Sequence, residues 1–231
     1  MSDIFTVSID DVSSNIKYQL TDVLRVVLSS SPSKSDVVLS ASWVQALGSA
    51  MVAYNAADQT ASSEELPKVW KSVWNFLDSS DAATRKATAQ SLCALSNCFS
   101  PALTSAAILD QDGSSSIIRK IISQVTKALD SLSYSRSIPE LLSIISSIIT
   151  NLRHRDSKTS PTAAELLVLP LIVRIGDLRV LKNFEYKEAA DATLSTAMHI
   201  IGPEALLNAL PLNLDPANRY VFTVVYFLHL G

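Results

Sequence analysis

Two stretches of this chain carry the same order of residue types, and that repetition constrains the fold more than any other feature. The run from Asp81 through Arg85, Ala87 and Ala89 to Leu92 is matched without a gap by the run from Asn183 to Leu194. Lys187 falls on Arg85, Ala189 on Ala87 and Leu194 on Leu92, a constant offset of 102 (187 − 85). Upstream of the first copy, Leu66, Val69, Val73, Phe76 and Leu77 recur at the three- and four-residue steps that line one helical face. The polar run 78–81 interrupts that pattern, and Ser80 or Asp81 can cap the helix that follows. Ala87, Ala89, Leu92, Leu95 and Phe99 then form an inward face, small at its start and larger later, which lets two helices approach closely. The stretch before the second copy, 163–181, is apolar, as a partner helix should be. The sequence therefore predicts helical hairpins over 64–99 and 163–201.

The order within the second helix is more specific than amphipathicity. An Asp at the turn, a basic residue one turn later, then alanines and a leucine resembles the second-helix signature of HEAT repeats. In those repeats the Asp and the basic residue typically form a ladder of polar contacts between neighbouring hairpins, which makes Asp81, Arg85 and Lys187 signature positions. An ordinary hairpin in a compact bundle is the plainer alternative for one copy. Two copies separated by two or three lengths of roughly 40–47 residues point to a solenoid. The expected fold is all-α, a HEAT/armadillo-like α-solenoid of about four to five helical hairpins. We expect it to be right-handed and to run through residues 1–231 as a single segment.

The rest of the chain supplies further hairpins. A helix is predicted over 10–28 with Val12, Ile16, Leu20, Val23, Leu24 and Val27 inward. A second, over 36–56, should bury Val38, Trp43, Leu47 and Met51. Residues 100–116 read as a connection with a turn at 110–113. Asp110, Asp112 and Gly113 resemble a fragment of a calcium loop, but Arg119 stands where the loop's closing Glu belongs. Residues 117–132 and 138–152 form another hairpin, with Ile118, Ile121, Ile122, Val125 and Leu129 facing Leu141, Leu142, Ile145, Ile148 and Ile149. Pro67 is placed near a helix start, and Pro170 is expected to kink or divide its helix. Gly202, Pro203 and Glu204 end one helix and begin the next: Gly suits the cap, Pro the first turn, and Glu the positive end of the dipole. Trp43, Trp70 and Trp74 read as inter-repeat core.

Little in the chain supports catalysis. Its three histidines, His154, His199 and His229, show no metal-ligand spacing, and the Gly-rich phosphate loops and nucleophile elbows are missing. The acidic pairs at 10–11 and 64–65 are explained by helix N-termini. No cofactor, metal or small-molecule substrate is expected. With 19 basic and 22 acidic residues the net charge of −3 argues against a broad basic surface for nucleic acid. The most basic loop is local, Arg153, His154, Arg155 and Lys158, and these residues are candidates to contact a phosphate or an acidic partner; a solvated inter-helix loop is the alternative. Cys93 and Cys98 point about 140° apart at ~100° per residue on one helix, so they should not pair, and unpaired thiols suit a reducing compartment. The apolar run 220–230 is too short for a bilayer, which needs ~20 residues, and no membrane association is expected.

A family is suggested by more selective pieces. Pro170-Leu171, Ile175-Gly176-Asp177-Leu178 and Ala190-Asp191-Ala192-Thr193-Leu194 are followed by Ile201-Gly202-Pro203-Glu204 and Leu210-Pro211-Leu212-Asn213-Leu214. Over 166–214 this resembles the HEAT-repeat region of the ribosomal RNA-processing protein twelve family. The upstream Val69-Trp70 and Cys93-Ala94-Leu95 are similar to it more loosely. The resemblance implies a non-catalytic nuclear or nucleolar scaffold of small-subunit ribosome assembly, linked to subunit export. Its implied partners are pre-ribosomal proteins, pre-ribosomal RNA and nuclear transport factors. Family members are several times longer, which implies a fragment, a truncated form or a short paralogue. After Asp215 the resemblance fades, and 218–231 reads as an atypical apolar tail. The alternatives are an importin-type transport adaptor, which would need an acidic concave face with Trp/Asn ladders, and a regulatory scaffold for an enzyme, which would show one apolar groove.

Overall fold

The computed structural model describes residues 9–210, apart from 111, 114, 156, 158 and 159, and for 9–17 the backbone alone. These residues fold as ten α-helices and one 3-10 turn, with no strand among them. They fall into two compact units divided between Ser100 and Pro101.

The first unit is two hairpins, α1 (Ile9–Ser29) with α2 (Val37–Ala57), and α3 (Gln59–Trp74) with α4 (Ala82–Ser96). Asp36, Asp58 and Asp81 cap α2, α3 and α4, each carboxylate accepting a backbone N–H of the first turn. The expected faces of α3 and α4 are both buried, from Leu66 to Leu77 and from Ala87 to Phe99. Trp43, Trp70 and Trp74 lie in this core, and Trp43 donates its indole N–H to the Val27 carbonyl at 2.7 Å. By length and apolar composition α2 could cross a membrane. Its Trp43, Val44, Leu47, Met51 and Tyr54 are instead packed inside the unit.

Several expectations need correcting here. Val38 is 77% exposed, because nine positions at ~100° each put it opposite Leu47 on α2. Val23 is also exposed, and Leu24 is fully inside while Leu20 and Val27 are half-buried; the side chains of Val12 and Ile16, the rest of the predicted α1 face, lie outside the described residues. Pro67 is not near a helix start: α3 begins at Gln59, eight residues before it, and the helix runs on through the proline.

The second unit contains α5 (Pro101–Leu109), α6 (Ile117–Leu129), a 3-10 turn (Leu132–Ser137), α7 (Ile138–Asn151), α8 (Ala163–Val180), α9 (Lys187–Ile201) and α10 (Pro203–Ala209). The ten apolar residues predicted to face each other across α6 and α7 are all buried. Helix α5 lies within 100–116, the stretch expected to be a connection. Its small and apolar residues bury only Thr104 and Ala107, so they show no periodic stripe. Pro170 does not divide α8, and it is exposed, as is Leu166, whose carbonyl the missing N–H would have bonded; water can satisfy it there.

The repeat is visible in the hydrogen bonds. Lys34 Nζ meets Asp78 at 2.9 Å and Arg174 Nη2 meets Asp130 at 2.6 Å, each pair 44 residues apart. Ser91 Oγ donates to the Val44 carbonyl at 2.8 Å, and Ser146 Oγ lies 3.1 Å from Thr193 Oγ1, each pair 47 residues apart. These spacings match a repeat of roughly 40–47 residues. The architecture is an all-α, HEAT-like solenoid, four complete hairpins among the described residues with α10 following the fourth.

Candidate functional site

The basic loop is anchored at both ends by the backbone. The Leu152 carbonyl accepts from Ala164 N at 2.8 Å and the His154 carbonyl from Ala163 N at 2.9 Å. Thr162 then caps α8 through Oγ1, accepting from Glu165 N at 3.0 Å. Arg153, His154 and Arg155 are exposed beyond this root, while Lys158 lies outside the described residues. Arg155 reaches the C-terminal end of α9, its Nη2 3.5 Å from the Ile200 carbonyl. A cation is favoured there because the last carbonyls of a helix carry partial negative charge.

That reach brings two of the sequence-selected clusters together. Gly202 ends α9 with φ of 105°, a backbone region that favours glycine, and its N–H donates to Met198 O at 3.1 Å. Pro203 opens α10 and Glu204 follows in its first turn. Arg155, Gly202, Pro203 and Glu204 all line one open groove, together with Glu165 and Asn208. Leu169, Ile201 and Ala205 are among its apolar members. The groove therefore mixes one guanidinium, two carboxylates and apolar surface. Such a surface suits a polypeptide segment better than a run of phosphates, which Glu165 and Glu204 would repel. Arg153 and His154 are not among its lining residues.

The repeat-signature residues occupy structural positions. Asp81 Oδ2 accepts from Thr84 N at 2.6 Å. The Thr84 amide and hydroxyl, with the Arg85 guanidinium beyond them, hold the Asp81 carboxyl below its ordinary range. Arg85 Nη1 donates to the Ser79 and Ser80 carbonyls, both at 3.0 Å, closing the α3–α4 turn inside its own hairpin. Lys187 is half-buried at the first position of α9, some 20 Å along the helix from Gly202 at 1.5 Å per residue. Asp110, the residue that resembled a calcium ligand, accepts from Ser115 N at 3.1 Å and Ser116 N at 2.7 Å. Chiefly the Ser116 amide lowers its pKa, so this carboxylate serves as the stop of the turn before α6.

Two features were not picked out from the sequence. Arg179 and Asp191 form a nearly buried bidentate pair between α8 and α9, at 2.7 and 3.2 Å. Asp191 stands where the offset of 102 puts Ala89, so the repeat alignment hides it. A second open groove lies between the 130–138 and 178–186 segments, where Phe184 and Tyr186 pack edge to face and Leu132 is 90% exposed. The aromatic pair before Lys187 was the available signal.

Among the described residues no group of His, Cys, Asp and Glu is arranged to hold a metal ion. The family described as "Ribosomal RNA-processing protein 12, HEAT repeats" matches residues 78–230. The chain belongs to this family. The match reaches beyond both ends of the 166–214 segment that carried the resemblance, and it takes in the apolar tail that had seemed to depart from the family. A putative ribosomal RNA-processing protein 12 from Schizosaccharomyces pombe (strain 972 / ATCC 24843) is 28% identical over 184 residues. That alignment covers 80% of this chain and 14% of the relative, so the chain spans about a seventh of its length. No solved structure gives a significant match.

Proposed function

We propose that this chain is a non-catalytic scaffold segment of ribosome biogenesis, one that binds pre-ribosomal particles during processing and assembly of the small subunit. It would act in the nucleus or nucleolus, with a share in subunit export. The observation that carries the reading is the family match over 78–230, and the hairpin architecture supports it. A solenoid holds partners by distributed contacts along its repeats and needs no reactive centre. The partners are pre-ribosomal proteins, pre-ribosomal RNA and nuclear transport factors. We assign a protein segment to the Arg155–Glu204 groove on its mixed charge. Arg153, His154 and Lys158 are left to phosphate or acidic groups of the same particle.

The test is sedimentation of the tagged chain from its own cells, with each fraction probed for pre-ribosomal RNA. Co-migration with small-subunit precursors that is lost on RNase treatment is the expected result. Sedimentation as free protein alone would refute the proposal. Arg153→Glu with Arg155→Glu should weaken co-migration while leaving the helical content intact.

A further inference from the structure

The links inside the hairpins treat their large apolar residues in two ways. In the first unit the link 75–81 puts Phe76 and Leu77 into the core. The links of the second unit, 130–137 and 181–186, leave theirs at the surface. Leu132 is almost wholly exposed on the 3-10 turn, Leu181 is exposed, and Phe184 and Tyr186 are only half-buried. Leu132, Phe184 and Tyr186 line the open groove between 130–138 and 178–186, about 900 Å³ in volume.

The geometry of this groove selects a charge. The Phe184 and Tyr186 rings are 6.0 Å apart at 81°. Rings set nearly at right angles leave a corner bounded by a face of each, and the face is the negative side of the ring's quadrupole. Two carboxylates line the same groove, Asp130 and Glu185, against one guanidinium, Arg136. Arg174, which is not among the lining residues, donates to Asp130 from Nε at 3.0 Å and from Nη2 at 2.6 Å. Both bonds fall on Oδ1, so Oδ2 can accept from an incoming donor. Glu185 is exposed and stands between the two aromatic residues in the chain. Aromatic faces beside carboxylates attract a cation. Arginine suits them better than lysine, because its flat guanidinium lies against a ring while its fork of N–H groups meets a carboxylate.

We propose that this groove binds an arginine side chain of a partner polypeptide, its guanidinium in the Phe184–Tyr186 corner and bonded to Glu185 and Asp130. Leu129 and Leu178 supply apolar surface for the methylene stem of that arginine, and Arg136 is placed to donate to carbonyls of the partner's backbone. A single-stranded nucleic acid would also use the rings, by stacking bases on them. Its phosphates would then face the two carboxylates, which disfavours it.

Fluorescence anisotropy on the full chain tests this, with a fluorescein-labelled peptide of alternating arginine and glycine at physiological ionic strength. The expected result is saturable binding that is lost when citrulline, which has the shape of arginine without its charge, takes arginine's place. Phe184→Leu with Tyr186→Leu keeps apolar bulk but removes both rings, and should weaken the arginine peptide about tenfold. Glu185→Lys, a change at an exposed position, should weaken it comparably, and it decides alone if the ring variant loses helical content by circular dichroism. No saturable binding, equal binding of the citrulline peptide, or an unchanged affinity in a folded variant would each overturn the proposal. A labelled oligouridylate whose binding falls in the ring variant, while that of the arginine peptide holds, would reveal a base-stacking site and overturn it too.

Discussion

Gly48 sits in the middle of α2, where a glycine ordinarily costs about 1 kcal/mol against alanine. On propensity alone Gly48→Ala should stabilise the chain. The structure reverses that expectation. A Cβ at position 48 would lie 2.9 Å from Ser91 Cβ and 3.0 Å from its Oγ. It would also stand 3.3 Å from Ser91 Cα, so rotating the side chain does not clear the contact. Rotation would in any case break the 2.8 Å bond to the Val44 carbonyl, worth about 1 kcal/mol. Overpacking of this kind costs about 1–3 kcal/mol. Setting the propensity gain against both losses, Gly48→Ala should destabilise the first unit by about 1–3 kcal/mol.

All three tryptophans lie between positions 43 and 74, so intrinsic fluorescence in a urea titration reports the first unit. Ser91→Gly and the double variant complete a mutant cycle. If the two sites touch as described, the cycle should yield a coupling of at least about 1 kcal/mol. A Gly48→Ala chain as stable as the parent, or more stable, would refute the close approach of α2 and α4.

Arg85→Ala removes two donors from the Ser79 and Ser80 carbonyls and should cost about 1–2 kcal/mol, read from the same fluorescence titration. The depressed pKa of Asp81 gives a pH dependence of known sign. Its stabilising contribution is fully present above the ordinary value of 3.8 and is lost as pH falls through the lower folded value. Asp81→Asn keeps a capping oxygen but does not ionise, so its urea midpoint should fall less than the parent's on going from pH 5 to pH 2. Burial pushes the Cys98 thiol up to about 11, whereas Cys93 is only half-buried. With Ellman's reagent at pH 8, Cys93 should react in the folded chain and Cys98 only as the unit opens; equal rates would contradict the packing.

Apolar spacing was legible because burial acts on it directly. The faces of α3, α4, α6 and α7 were readable, since large aliphatic residues at helical steps have one economical place to go. Val38 and Val23 misled because a helix with apolar residues on several sides does not say which side is covered. Helix α5 escaped for the opposite reason, being short and built of small residues. The site divided along the same line. Gly202, Pro203 and Glu204 announced a helix junction through backbone preferences that are local and strong. That Arg155 would reach this junction depended on α7, α8 and α9 packing together, a contact between residues 45 positions apart that no local pattern encodes. The Arg179–Asp191 pair was hidden for a related reason: its meaning lies in the partner, and the partner is on another helix.

The offset of 102 proved deeper than the residue types that revealed it. Matched alanines and leucines suggested that Ala189 and Leu194 would be inside, yet both are half-buried. The residues buried to the core are Ala190, Thr193, Ala197 and Ile201, which stand opposite Thr88, Ser91, Leu95 and Phe99 at the same offset. None of these four pairs is identical, so sequence identity passes over the face that the two helices share. What the two helices have in common on this face is a small hydroxyl, Ser91 in one and Thr193 in the other. Ser91 donates to Val44 O, and Thr193 lies 3.2 Å from Leu142 O and 3.0 Å from Ala189 O while accepting from Ser146. A helical carbonyl keeps a second lone pair after its own helix is satisfied, and a serine or threonine is short enough to reach it without holding the helices apart. A larger residue would part the helices, and alanine would supply no directional bond. The hydroxyl therefore sets the register of each second helix on the one before it, in both units, with different residues doing the same work.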